Sequence, residues 1–349
     1  MYSLRLNRIF IATLSLSKPR ILPVSKPKDT KQFAITIEWF TSSDLSQIWK
    51  TTCLKLLIIF NPYAANGRSI KKLADIKAKF RSLGITAEFM PTQYPGHGRE
   101  LVASAGLSGF DGLVAAGGDG TMFETLNGLY QHPKSGRIPL GLIPLGTGNA
   151  FAREFGEELL DWQKAIDLLH RGRTRKMDVG HVKTSDESYY FLNILGMGFT
   201  VDAGQSAQKL KFLGNSAYTL ATLWKVLKLR SYPLELVIDG ESITSDNVFV
   251  TFSNSRYTGT HFLIAPEAKI DDGQLDVTIL ESLPRIRLLK LFPTIYDGRH
   301  IEYREVTSYK AAHIIIRSPH GMLLGPDGEF CGRTPAEITC LPRDLTIFS

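Results

Sequence analysis

Residues 117–121 read Gly-Gly-Asp-Gly-Thr: one carboxylate among three glycines, then a threonine that opens a helix-like run. That combination suits phosphate. At a strand-to-helix turn the first N–H groups of the helix point outward without partners, and the helix dipole is positive there. Glycines let the backbone approach phosphate oxygens closely and adopt positive φ. Inside the turn, Asp119 could meet a metal ion carried by a nucleotide or orient a hydroxyl, and Thr121 is a small donor. Two more Gly-rich stretches have the same character, NPYAANG (61–67) and PLGTGN (144–149), the latter offering Thr147. Three such turns on one sheet edge could hold a polyphosphate.

The elements that must position these turns alternate. LKLLIIFNP (54–62) predicts a buried strand stopped by Asn-Pro. RSIKKLADIKAKFRSLG (68–84) carries Ile70, Leu73, Ile76, Phe80 and Leu83 at helical spacing and ends on Gly84. Strands are predicted next over 85–92, 111–118 and 138–148, and helices over 96–109, 121–130, from 149 onward, and over 160–172. Strands alternating with helices imply βαβ units and a parallel sheet covered on both faces. Ligands of such sheets bind beyond the carboxyl ends of the strands, where all three glycine turns fall. Residues 53–172 are therefore read as an α/β nucleotide-binding domain.

From residue 174 the pattern changes. Apolar or alternating runs at 189–199, 233–240, 247–255, 274–280, 311–318 and 336–342 predict strands, with helices near 203–230 and 284–297. Residues 173–349 are read as a mainly β sandwich domain, its last strand a candidate to return to the first domain. AYTLATLWKVLKL (217–229) is strongly apolar on one face and suits core packing or an acyl-chain cleft.

Composition narrows the function classes. The 349 residues are 43% hydrophobic and 21% charged, ordinary for a globular protein. The net charge of +7 is concentrated in residues 1–52, which hold eight Lys/Arg and three Asp/Glu. The remainder is close to neutral, so no nucleic-acid surface is expected. The first thirty residues, rich in Ser, Arg and Lys, read as a targeting segment or as the product of a start upstream of a true beginning near residue 52. Three cysteines without ligand spacing fit a reducing compartment. No apolar run reaches the ~18–20 residues that cross a bilayer, so no transmembrane segment is expected. The P-loop, the Gly-x-Gly-x-x-Gly dinucleotide turn after the first strand and the protein-kinase catalytic loop are all missing.

GGDGTMFETLNGL followed by IPLGTGNAFAREFG resembles the catalytic domain of the diacylglycerol kinase family, which includes soluble bacterial lipid kinases, sphingosine kinases and ceramide kinases. NAD kinases share the Gly-Gly-Asp-Gly element, but the second motif separates them. NPYAANGR (61–68) looks like the family's first nucleotide loop. TQYPGHG (92–98) looks like its Thr-x-x-x-Gly-(His/Asp)-Ala segment, with Gly98 in place of alanine. LGMGFTVDAG (195–204), APEAKIDDGQLDV (265–277) and GPDGEF (325–330) resemble later family segments, so the likeness spans roughly residues 54–345.

The resemblance implies an NAD-kinase/diacylglycerol-kinase-like α/β domain followed by a mainly β sandwich, with ATP and lipid meeting between them. It implies ATP held by Asn61, Gly67, Thr92, Gly117, Gly118, Asp119, Gly120, Thr121, Glu124 and Thr147. It implies Glu329 as the base that takes the lipid hydroxyl proton, with Asp119 the alternative base, and Asp202 near the lipid headgroup. It also implies a structural Mg²⁺ at Asp272 and the main-chain oxygens of Lys269 and Gln274. The expected activity is an ATP-dependent lipid kinase, diacylglycerol first, a sphingoid base or another glycerolipid next. An NAD-kinase-like enzyme and a non-catalytic sensor are the alternatives. The expected setting is cytoplasmic and peripheral to a membrane, or organellar if the leader targets it, with a homodimer allowed for.

Overall fold

The computed structural model describes residues 54–209, 229–259 and 261–349. The leader and most of the apolar 217–229 stretch lie outside the described residues.

Four parallel strands build the first half: β1 (Lys55–Phe60), β2 (Thr86–Pro91), β3 (Gly112–Gly117) and β4 (Leu140–Pro144), in the order β4-β3-β1-β2. Leu56 to Phe60 are all almost fully buried, as a strand covered on both faces requires. Their alternation divides them between two cores. Leu57 and Ile59 pack with Val102, Leu126 and Leu129, while Leu56, Ile58 and Phe60 pack with Ile76, Phe80 and Ile166. The covering helices are α1 (Leu73–Ser82), α2 (His97–Ser104), α3 (Asp119–Leu129), α4 (Ala150–Glu154) and α5 (Trp162–Arg171). Each predicted strand and helix of this half is present, with ends trimmed by a few residues.

The second half is β-rich. Its strands are β5 (Thr174–Thr184), β6 (Ser188–Phe191), β7 (Ile194–Gly198), β8 (Tyr232–Ile238), β9 (Glu241–Ser253), the short pair β10 (Tyr257–Thr258) and β11 (Phe262–Leu263), β12 (Leu275–Glu281), β13 (Val306–Ala311), β14 (His313–Ser318), β15 (Leu324–Pro326) and β16 (Ala336–Phe348). Two helices accompany them, α6 (Phe199–Lys209) and α7 (Arg285–Leu291). All strands but β10 and β11 join one mixed sheet. β16 ties its halves together: it runs antiparallel to β5 and β14, and Ile347 pairs in parallel with Leu140 of β4. β5 and β13 carry no clear apolar run, and only pairing makes them strands.

Asp178 in β5 is a fixed point of this junction. The residue is 0% exposed. Its carboxylate accepts the backbone N–H groups of Gly273 and Arg343, each at 2.6 Å. Burial raises its pKa against those two donors, and Asp272 and Asp271 push the same way.

Candidate active site

The three glycine turns meet. Asn61, at the end of β1, donates from Nδ2 to Thr121 Oγ1 (3.0 Å) and accepts the Tyr63 N–H at Oδ1 (2.9 Å). Thr121 is 4% exposed, and a Cβ on Gly117 would lie 2.2 Å from its Oγ1. Both side chains therefore join the first loop to the second rather than opening to solvent. Beyond Asn61, Ala65, Asn66 and Gly67 take φ of 50°, 58° and 77°, three left-handed residues in succession. Glycine tolerates this freely and asparagine nearly so, but Ala65 is strained by on the order of 1 kcal/mol or more. Thr92, at the end of β2, is buried and donates its N–H to Phe60 (2.8 Å).

The second and third turns touch backbone to backbone. A Cβ on Gly146 would lie 2.4 Å from Gly118 Cα. Asn149, at φ 53°, closes the third turn: Oδ1 accepts the Gly146 N–H (3.1 Å) and Nδ2 donates to the Gly146 carbonyl (3.0 Å). Thr147 at its tip is exposed.

Asp119 points across this junction. Its Oδ1 accepts the Phe151 N–H (3.3 Å), so the carboxylate sits at the start of α4. Burial raises its pKa, while the N–H groups of residues 149–151 lower it. Glu124 also works internally: its two oxygens accept the N–H groups of Gly96 (2.7 Å) and Gly98 (2.9 Å) at the start of α2. This explains the departure at Gly98, where a Cβ would lie 2.7 Å from Glu124 Oε2. Gly98→Ala is expected to change stability by no more than about 1 kcal/mol, because crowding the carboxylate is offset by the better helix former. Lipid phosphorylation should stay within about threefold; a denaturant midpoint and an activity assay check this.

Glu329 arrives from the far half of the chain. After β15 the segment Pro326–Glu329 makes a tight turn, with Asp327 at φ 49°, Gly328 at φ 84° and the Glu329 N–H bonded to the Pro326 carbonyl (2.8 Å). Two positive φ values in succession are the Asp-Gly hairpin geometry. The turn sets Glu329 Oε1 2.5 Å from where a Cβ on Gly120 would sit, at the opening turn of α3. A side chain there would push the end of the carboxylate aside. Asp327, which sequence reasoning gave no role, accepts N–H groups from Leu192 (2.9 Å), Asn193 (2.8 Å) and Ile194 (3.1 Å) and so pins the turn before β7. Burial raises its pKa to about 7, with Asp119 adding to the rise and the three donors opposing it. α6 packs on this segment: a Cβ on Gly204 would lie 2.9 Å from the Phe330 ring. Asp202, two residues before Gly204, is half-buried beside it.

Arg256 and Glu154 were also missed. Arg256 donates to the Glu154 carboxylate from Nε (3.0 Å) and from its backbone N–H (3.1 Å). This fastens the β10–β11 hairpin to α4, and a Cβ on Gly148 would lie 3.1 Å from the Gly259 carbonyl. The neighbouring Arg153 is buried and pairs with Glu157. The Arg153–Glu157 pair has i,i+4 spacing that the sequence could have offered, whereas Arg256 and Glu154, 102 residues apart, follow no local rule.

At the Asp-Asp-Gly turn the structure puts a lysine beside the carboxylate that the resemblance offers to Mg²⁺. Asp272 Oδ1 accepts the Gln274 N–H (3.1 Å). Lys310 Nζ lies 2.8 Å from Asp276 Oδ2, 3.5 Å from Asp272 Oδ2 and 3.4 Å from the Glu267 carbonyl. The ammonium pairs closely with Asp276 and more loosely with Asp272, offsetting part of their charge. Among the described residues no group of three or more His, Cys, Asp or Glu is arranged for a metal. A divalent ion fits this turn poorly while Lys310 is present. Chelation with EDTA is accordingly expected to shift the melting temperature of the ATP-free protein by less than about 1 °C. Lys310→Met should cost roughly 1–2 kcal/mol, the pair being partly solvated. A large chelator effect on the wild type would contradict this arrangement.

Two family models match the chain: the diacylglycerol kinase catalytic domain over residues 55–182, and the YegS C-terminal NAD kinase beta sandwich-like domain over residues 193–349. A diacylglycerol kinase of Mycobacterium tuberculosis is 33% identical over 296 residues, covering 84% of this chain and 94% of the relative. The chain belongs to the diacylglycerol kinase family. A diacylglycerol kinase of Bacillus subtilis is also 33% identical, covering 83% of this chain and 94% of its own. Among solved structures, a candidate diacylglycerol kinase from Bacillus anthracis superposes with a TM-score of 0.71 at 26% identity, covering 85% of this chain and 97% of that one. Sphingosine kinase 1 of Arabidopsis thaliana is 25% identical over 79% of this chain. The diacylglycerol kinase fold thus accounts for both halves, a parallel α/β part and a β-rich part, and makes this chain a lipid kinase. Among the described residues no helix is long and apolar enough to cross a membrane.

Proposed function

We propose that the protein transfers the γ-phosphoryl group of ATP to the free hydroxyl of diacylglycerol, giving phosphatidic acid and ADP. The observation that carries this reading is the Glu329 carboxylate beside Gly120, at the positive end of α3. The amides of residues 117–121, with Gly67 and Thr147, grip the triphosphate. Asn61, Thr92, Thr121 and Glu124 hold those loops at their spacing. Asp119 fixes α4 against the second turn, and Asp202 faces the headgroup from α6. Mg²⁺ enters with ATP as part of the substrate. The lipid oxygen attacks the γ-phosphorus, the bond to the β-bridging oxygen breaks with its electron pair leaving on ADP, and the hydroxyl proton passes to Glu329. The boundary between the two lobes is placed near residue 172.

The test is purified protein with labelled ATP, Mg²⁺ and a panel of dispersed lipids. Labelled phosphatidic acid is the expected product. The likeness to sphingosine kinase 1 favours a sphingoid base as the second reading, and label in that lipid alone would select it. Label in NAD, with none in any lipid, would overturn both.

A further inference from the structure

We propose that α7 and the groove beside it form the face by which the protein rests on a bilayer containing anionic phospholipid. The proposal builds on the lipid-kinase reading and adds where the membrane docks. Leu288 and Leu291 of α7, and Ile295 just after it, face inward and pack with Phe199, Ala203 and Phe249. The other face is unusual for a soluble surface. Ile286 is 71% exposed, Leu289 42% and Tyr296 44%. Ile286 and Leu289 lie three residues apart, on one side of the helix. Exposed Arg285 and Lys290 flank them, and neither has an ion-pair partner among the described residues. Residues 282–296 contain three basic residues and no acidic one. Apolar side chains bordered by unpaired cations match the boundary between acyl chains and anionic headgroups.

Two features favour a bilayer over another protein. An open groove of about 490 Å³ begins at Arg285 and Ile286 and is walled by Leu229, Val248, Leu283 and Pro284. Val248 belongs to the apolar cluster that contains Phe199 and Ala203 of α6. The same cluster holds Leu283, Leu288 and Leu291, so the groove and α7 share one apolar layer, as suits a surface that receives the acyl chains of a bilayer.

The experiment is co-sedimentation of the full chain with phosphatidylcholine vesicles, with and without phosphatidylglycerol. Beside it runs turnover of a short-chain diacylglycerol held in monomeric solution. Ile286→Glu/Leu289→Glu should weaken vesicle binding at least about tenfold. Arg285→Gln/Lys290→Gln should weaken it roughly fivefold per charge, on anionic vesicles alone. Both variants should turn over the soluble lipid at the wild-type rate. Undiminished vesicle binding by Ile286→Glu/Leu289→Glu overturns the proposal. So does loss of soluble-lipid turnover in that variant, since the face would then serve folding or catalysis rather than docking. Failure of the kinase reading is separate: the wild type would phosphorylate no lipid, soluble or in vesicles.

Discussion

Glu329→Gln should lower kcat by about 10²- to 10⁴-fold while the KM for ATP stays within roughly threefold. Glutamine keeps the size and the hydrogen-bonding reach of the side chain but cannot take up a proton. The turn that presents it depends on backbone geometry, Asp327 and Gly328 in the left-handed region and the bond from Glu329 N–H to Pro326, none of which the substitution touches. A folding defect is therefore not expected, and an unchanged melting temperature should accompany the loss of turnover. Steady-state kinetics on dispersed diacylglycerol decide the matter. A fall of less than about tenfold would mean that the proton leaves by another route, and Asp119 would then be the residue to test. Glu329 is the better placed of the two, because Asp119 already accepts from the start of α4.

Gly146→Ala is expected to reduce kcat/KM for ATP about a hundredfold. Its Cβ would fall 2.4 Å from Gly118 Cα, 3.2 Å from Gly118 N and 2.8 Å from Asn149 Oδ1. The closest neighbour is backbone, fixed between β3 and α3, so it cannot swing aside as a side-chain end could. The two turns must part by roughly 1 Å, and a displacement of that size in a binding site can cost about 10²-fold in rate. Crowding of a packed region also costs about 1–3 kcal/mol of stability. Gly136→Ala is the matched control, since a Cβ there meets only Pro133 Cγ at 3.8 Å. Wild-type ATP kinetics in Gly146→Ala would show that the turns do not grip the triphosphate together. Near-ultraviolet circular dichroism separates that result from simple unfolding.

Much of the fold was legible because burial on two faces leaves a mark in the chain. LLIIF at 56–60 and the helical spacing of Ile76 and Phe80 require a covered parallel sheet, whatever lies further along. Strands β5 and β13, like the short β10, β11 and β15, lie outside the predicted runs because no local apolar pattern marks them. In β5 the buried Asp178 sits where an apolar residue would be expected, because two backbone N–H groups from distant turns compensate its charge. Such compensation comes from residues remote in sequence, so no local pattern announces it.

The site divides the same way. The sequence by itself determined that glycine turns lie at strand ends, that one carries an aspartate, and that a late Asp-Gly-Glu follows, because turn chemistry is local. Only the tertiary structure decided what each side chain touches. It turned Asp119 toward α4, set Glu124 on the start of α2, gave Asp272 to Lys310, and brought Glu329 against Gly120. The physical reason is that a carboxylate goes where unpaired N–H groups or cations await it, and the packing of whole elements fixes those places.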